Sequence, residues 1–371
     1  MSDLIRILQI INTEGVGPIT FYKAVEKGGN IIKAVDLIAA KKKLCSQSRA
    51  EDIIAQAQKI GARIITYQDE EYPDTLKQIH DAPPILYAIG NVALLKHPAT
   101  VAIVGARNAS IAGRKMASRI AYDLTESDVL VISGMARGID CAAHKGALYA
   151  KNRRGPTIAV LGTGIDEIYP SENADVYHQI AEQGLLISEF PLGTAAQVSN
   201  FPRRNRIISA LSSGTLVVEA SLHSGSLITA KFALEQGKEI FAVPGSPIES
   251  RSAGPNQLIK QGALLTENAE DILNVLSITQ NRQIKNYQLE LTGLDKPQKR
   301  DNIAKQTELG FNKATKTHTS LLELISYEGI DMDELLRNSG VEQSDFFMQI
   351  LELEFEGKIE RQAGNRVARI K

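Results

Sequence analysis

Tryptophan is absent, and only two cysteines, Cys45 and Cys141, occur in 371 residues. They lie far apart, with no CxxC or Cys/His ligand spacing. The sequence therefore predicts neither a disulfide framework nor a metal site, and both thiols read as small apolar residues. No apolar run approaches the roughly 20 residues that a membrane-spanning helix needs, so no membrane partner is expected. The opening MSDLIRILQI lacks the basic start, apolar stretch and small-residue cleavage site of a secretory signal, and the expected location is the cytoplasm. An excess of one charge is missing too: 42 Lys and Arg against 43 Asp and Glu leave a net charge of −1. Basic residues gather in loops and acidic ones toward the C-terminus, so a local basic groove for a polyanion is still permitted. What is present, 43% hydrophobic residues in a chain longer than one core usually organises, predicts one large domain with small appendages.

Residues 1–65 hold four stretches with apolar residues at helical spacing, LIRILQIINT, ITFYKAVEKG, IIKAVDLIAA and AEDIIAQAQKI. They predict a small helical domain of SAM or helix-hairpin-helix type. Gly15-Val16-Gly17-Pro18 resembles a helix-hairpin-helix turn, whose backbone N–H groups can meet a phosphate; chain geometry alone also explains its glycines. Over 66–276 the pattern changes. Its clearest strands are TVAIV (100–104), VLVIS (129–133), TIAVL (157–161), LLISE (185–189), TLVVE (215–219) and EIFAV (239–243). Helices are predicted between them, over 114–124, 142–149, 175–183 and 227–236. Near-continuous Val, Ile and Leu strands alternating with helices indicate a parallel sheet covered on both faces, an α/β core of the extended Rossmann-like class. The polar stretch 277–317 shows no periodicity and reads as a linker. Residues 318–371 give three helical stretches and a closing hairpin, IERQAGNRVARI, the pattern of a winged-helix domain.

Ligands of a Rossmann-like sheet sit beyond the carboxyl ends of its strands. The first strand ends in Gly105-Ala106-Arg107-Asn108-Ala109-Ser110, small residues and one Arg ahead of a helix, which suits an anion. The second enters Ser133-Gly134-Met135-Ala136-Arg137-Gly138 and repeats the arrangement; the third enters Gly162-Thr163-Gly164. Each loop alone is ordinary turn chemistry, but together on one sheet edge they predict a shared phosphate site. In Asn200-Phe201-Pro202-Arg203-Arg204-Asn205-Arg206 an aromatic residue precedes three Arg and an Asn. A ring stacks on any base and guanidinium forks grip successive phosphates, which is what sequence-tolerant single-strand binding requires. Phe201 is expected on an exposed loop. The same arginines could instead make structural ion pairs, Arg206 with Glu219. Ser224-Gly225-Ser226 offers donors at another helix start, for phosphate or for simple N-capping. His144 reads as a packed helix residue and Asp140 as a brace for its turn, so no catalytic residue and no cofactor are predicted.

The succession GARNAS, SGMARGIDCAAH, TIAVLGTGIDEIYPSEN, FPRRNRIISALS, VVEA, SGSLITAKFALEQGKEIFAVPGSP and GPNQLIKQGA closely resembles the DprA (Smf) family over about residues 65–270. The resemblance implies a Rossmann-like core that binds single-stranded DNA without being an enzyme, commonly as a homodimer, and helps load the recombinase RecA during natural transformation. It assigns DNA contacts to Arg107, Ser133, Gly134 and Phe201, and to Arg203, Arg204, Asn205 and Arg206. With the residue reading above, Arg137, Ser224, Gly225 and Ser226 complete the expected interface. Relatives often carry a basic residue just before the aromatic; Gln197-Val198-Ser199-Asn200 has none, so affinity is weaker here or Arg203 compensates. For the homodimer, apolar Leu258, Ile259 and Leu265 beside Gly262-Ala263 are expected at the interface.

An enzymatic alternative is a nucleotide phosphoribohydrolase of the lysine-decarboxylase-like class, whose motif resembles PGGxGTxxE. Its catalytic Glu has no counterpart here, where Gly225-Ser226 is followed by Thr229, leaving no general base in the motif. A dinucleotide oxidoreductase is disfavoured because Gly162 and Gly164 lack the third glycine of GxGxxG. A transcription regulator acting through the winged helix is disfavoured because its candidate recognition helix carries Asp345, Glu352, Glu354 and Glu356. A protein contact or accessory role suits that domain better.

Overall fold

Amphipathic spacing at the start of the chain is realised as four helices, α1 (Asp3–Ile11), α2 (Pro18–Gly28), α3 (Ile31–Ala39) and α4 (Gln47–Lys59). Side-chain oxygens satisfy amide donors left free at helix starts: Asn30 accepts from the Lys33 N–H at 2.9 Å and Ser46 from the Arg49 N–H at 3.2 Å. In this computed structural model the described residues are 2–151, 156–276, 322, 324–326, 329–339, 346, 350, 353, 358–362 and 366–369. The chain divides into two units, residues 1–286 and 287–371.

In the first unit the six apolar runs form β3 (Thr100–Val104), β4 (Leu130–Ser133), β5 (Thr157–Val160), β6 (Leu185–Ser188), β7 (Gly214–Val217) and β8 (Glu239–Ala242). Three further strands extend the sheet: β1 (Arg63–Thr66), β2 (Ile85–Gly90) and β9 (Leu264–Leu265). The order is β1-β2-β6-β5-β4-β3-β7-β8-β9. Pairing is parallel from β6 to β9, while β2 pairs antiparallel with both β1 and β6. Strands β3 to β7 are buried throughout, and each such Val, Leu or Ile contributes about 1.5–3 kcal/mol relative to exposure. Helices α6 (Ile111–Glu126), α7 (Ile139–Tyr149), α8 (Ala174–Gln183), α10 (Gly225–Glu235) and α11 (Ala253–Lys260) connect the strands, and α5 (Asp74–Lys77) precedes β2. Ile7, Phe21 and Ile53 of the N-terminal helices join Tyr87 on β2 and Leu186 on β6 in one apolar cluster.

One sequence expectation changes here. The segment containing Phe201 is not a loop but helix α9 (Asn200–Ala210). Its polar composition masks this, because the residues it buries include Arg204, Asn205 and Arg206. Strand β7, reached after β6, lies on the opposite side of β3 from β4. The crossover direction therefore reverses between β3 and β7, which creates the crevice where Rossmann-like sheets take their ligands.

The second unit has a three-stranded sheet, β10 (Ile330–Asp331), β11 (Ile359–Gln362) and β12 (Arg366–Arg369), ordered β10-β12-β11. The predicted closing hairpin is the antiparallel pair β11–β12. Helix α12 (Met332–Ser339) contributes Met332 and Leu335 to a core that includes Phe346, Ile350 and Val367. The linker expected over 277–317, and Asp345, Glu352, Glu354 and Glu356, lie outside the described residues.

Candidate nucleic-acid interface

At the switch point the loops after β3, β4 and β7 converge with the start of α9 around an open cleft of about 590 Å³. A smaller hollow shares Arg107, Phe201 and Arg204 with it and adds Gly134 and Arg137. Phe201, half-buried in the first turn of α9, has the exposed Arg107 guanidinium 5.0 Å from its ring centroid and the Tyr169 ring at 5.6 Å, tilted by 34°. Below the ring lies Gly162, whose missing side chain makes room for it. This sets a cation and two aromatic rings at one rim. Across the cleft, Ser224, Gly225 and Ser226 form the start of α10. Ser224 caps that helix, accepting from the Ser226 N–H at 3.4 Å, and Gly225 leaves open space above it. Capping and an accessible helix N-terminus coexist there.

Beneath this rim the remaining predicted residues are engaged inside the protein. Arg204 is 4% exposed, and its Nη1 donates to the carbonyls of Gly134 and Val160. A Cβ at Gly134 would fall on that guanidinium, which is why glycine follows β4. The Gly134 N–H donates to Asp140 Oδ2 at 3.2 Å, so one residue bridges the buried cation and the buried carboxylate. Burial brings Arg204 down to about 10 and pushes the Asp140 carboxyl up, each opposed by the charge of the other. Asn205 carries the bracing outward, donating to the Gly225 carbonyl at 3.2 Å. The Ser133 hydroxyl is fully buried and donates to the Ile103 carbonyl at 2.6 Å, tying β4 to β3. Met135, next in the loop, is held at φ 58°, and its carbonyl accepts from Asn173 Nδ2 at 2.8 Å. Such a left-handed non-glycine residue stores strain beside the cleft.

Arg206 is not paired with Glu219. It bonds Glu189 at 2.7 Å and Asp81 at 2.8 Å on the far side of α9, away from the cleft. Glu219 instead accepts from the Ser110 N–H at 2.9 Å, fixing the loop after β3. Arg203 is exposed, its guanidinium 5.2 Å from the Phe190 ring centroid. Arg137 is exposed and pairs with Glu172 at 2.7 Å.

Two lining residues escaped the motif reading. Arg251 donates from Nε to the Asn108 carbonyl at 2.9 Å and adds an exposed cation, and Tyr169 is 45% exposed beside Phe201. Arg251 lies in the loop region following β8, so the strand-end rule would have pointed to it. His144, behind the loops, is fully buried. Thr157 donates its hydroxyl to the Val131 carbonyl at 2.7 Å, so its oxygen accepts from His144 Nδ1 at 2.8 Å. Burial then holds the imidazole down to about 3 and neutral. Among the described residues no group of His, Cys, Asp and Glu could hold a metal ion, and no helix is long and apolar enough to cross a membrane.

Fold and cleft together define a Rossmann-like protein with a cationic, aromatic-rimmed cleft at its topological switch point, followed along the chain by a winged-helix unit. Residues 63–277 match the family described as DNA recombination-mediator protein A, and residues 312–365 match the DprA winged helix domain. The chain belongs to this DprA (Smf) family. It is 41% identical over 224 residues, 60% of its length, to DNA processing protein DprA of Bacillus subtilis, covering 74% of that protein. Its fold is similar to the X-ray structure of DprA from Streptococcus pneumoniae, with TM-score 0.63 and 32% identity over 74% of this chain and 98% of that one. A structure reporting the single-stranded DNA binding mode of DNA processing protein A from Helicobacter pylori matches with TM-score 0.53 and 30% identity, over 58% of this chain and 97% of that one. As a family member the chain is a DNA-processing protein and not an enzyme.

Proposed function

We propose that the cleft at the β3–β7 switch point binds single-stranded DNA without marked sequence preference. The carrying observation is the half-exposed Phe201 ring with Arg107 set over it. A ring stacks on any base, the exposed arginines and the start of α10 take phosphates, and the cleft presents no helix suited to reading base edges in a duplex groove. Arg107, Phe201, Arg137, Ser224 and Gly225 are the direct contacts in this reading, with Arg203 at its margin. Ser133, Gly134, Arg204, Asn205 and Arg206 hold the loops in place. The finer assignments, protection of DNA and loading of RecA in transformation or recombination and a homodimer, rest on the family resemblance. Stimulation of RecA-driven strand exchange by the purified protein tests the RecA assignment, and no stimulation would remove it.

Labelled single- and double-stranded oligonucleotides, titrated at two salt concentrations, test the central reading. Single strands are expected to bind more tightly, and Arg107→Ala to lower the log–log salt slope by about 0.7, the loss of one phosphate contact. Equal affinity for duplex would overturn it.

A further inference from the structure

A second groove, of about 670 Å³, runs between α6 and α7. A Cβ at Gly146 would fall on the Ser118 carbonyl, so the two helices meet closely at that point. Around this crossing stand Arg114, Lys115 and Arg119 of α6 and Lys145 of α7, all exposed, with Arg137 at one end. The nearby carboxylates compensate weakly: Asp123 lies 3.8 Å from Arg119 and Glu172 2.7 Å from Arg137, both as exposed pairs. Such pairs contribute at most about 1 kcal/mol and yield readily to another anion. Apolar surface accompanies the charge, with Tyr149 78% and Ile111 68% exposed. Along α6 the offset from Ile111 to Tyr122 spans about 16 Å at the helical rise, long enough for several nucleotides. Arg137 also lines the hollow that holds Phe201 and Arg107, so the groove and the cleft adjoin.

We infer that this groove carries the continuation of the nucleic-acid strand leaving the cleft, with phosphates on Arg114, Arg119 and Lys145 and a base against Tyr149. The inference rests on single-strand binding in the cleft. Contiguity through Arg137 and the exposed tyrosine favour a nucleic acid over an acidic protein segment, which needs neither.

The test compares the full chain with its Arg119→Glu/Lys145→Glu variant, and with the milder Arg119→Ala/Lys145→Ala, on oligothymidylates of about 6 and about 20 nucleotides. Unchanged melting temperatures establish that the variants are folded. For the long strand the alanine variant is expected to lose about 1.4 in salt slope, two phosphate contacts, and the glutamate variant to bind roughly tenfold more weakly. The short strand, filling only the cleft, should bind all three proteins alike. An unchanged long-strand affinity, or equal losses for both lengths, would overturn the inference. Arg107→Ala separates the two readings: it should weaken both lengths, and if wild type binds neither strand the cleft reading itself fails.

Discussion

Phe201 stands half-exposed between Arg107 and Tyr169, so its removal should separate binding from folding. Phe201→Ala is expected to cost about 1–3 kcal/mol of single-strand affinity while leaving the salt slope unchanged, because no phosphate contact is lost. Phe201→Tyr should be nearly neutral. A titration beside thermal melting reads both quantities, and a large fall in melting temperature would reassign the ring to the core. His144 makes a different prediction. Its folded form resists protonation until about pH 3, whereas the unfolded chain takes up the proton below about 6.5. Between those values the unfolded state binds more protons. The stability is complete above about pH 6.5 and is lost as pH falls toward 3, about 2 kcal/mol of it by pH 5. Asp140 and Glu189, raised by burial, shift stability in the opposite sense. The useful readout is therefore the difference between wild type and His144→Gln in denaturant unfolding at pH 7 and pH 5. Equal pH dependence in the two would show that His144 is not held neutral.

Helices α6 and α7 depend on one missing side chain. Gly146→Ala places a methyl group on the Ser118 carbonyl, and forcing the helices apart should cost about 1–3 kcal/mol, read as a lower denaturation midpoint. Gly146→Ala without loss would mean that the helices re-seat freely. The six central strands were legible as elements because a parallel sheet buries both faces and each strand reads as continuous Val, Ile and Leu. Strands β1, β2 and β9 were not legible: β1 and β9 are runs of four and two residues, and β2 follows directly on Pro83-Pro84. Helix α9 was hidden for a stronger reason. Arg204, Asn205 and Arg206 face inward to bond strand-end carbonyls, the Gly225 carbonyl and the Glu189 and Asp81 carboxylates, which reverses the usual apolar-inward pattern. Motif spacing therefore singled out a segment that lines the cleft, but it could not say which arginines meet solvent. Nor could it give the strand order that creates the crevice, since order is a matter of pairing across the sheet.

At the scale of the whole molecule, the β9 edge and α11 expose apolar surface. Leu265 is 50% exposed, and Leu222, Leu227, Leu234 and Leu258 line a shallow groove of about 390 Å³ nearby. This suits the proposed homodimer through Leu258, Ile259 and Leu265. Sedimentation at micromolar concentration should give a dimer for wild type and a monomer for Leu265→Asp; a monomeric wild type would contradict it. The interior position of Arg204 bears on how the molecule behaves as ionic conditions change. A cation fixed among strand-end carbonyls carries no exchangeable ion cloud, so salt cannot weaken it as salt weakens Arg107 or Arg251. The cleft thus combines an outer charge that salt screens with an inner one that salt does not reach, and affinity that survives in concentrated salt measures the stacking ring on the scaffold that the inner charge fixes.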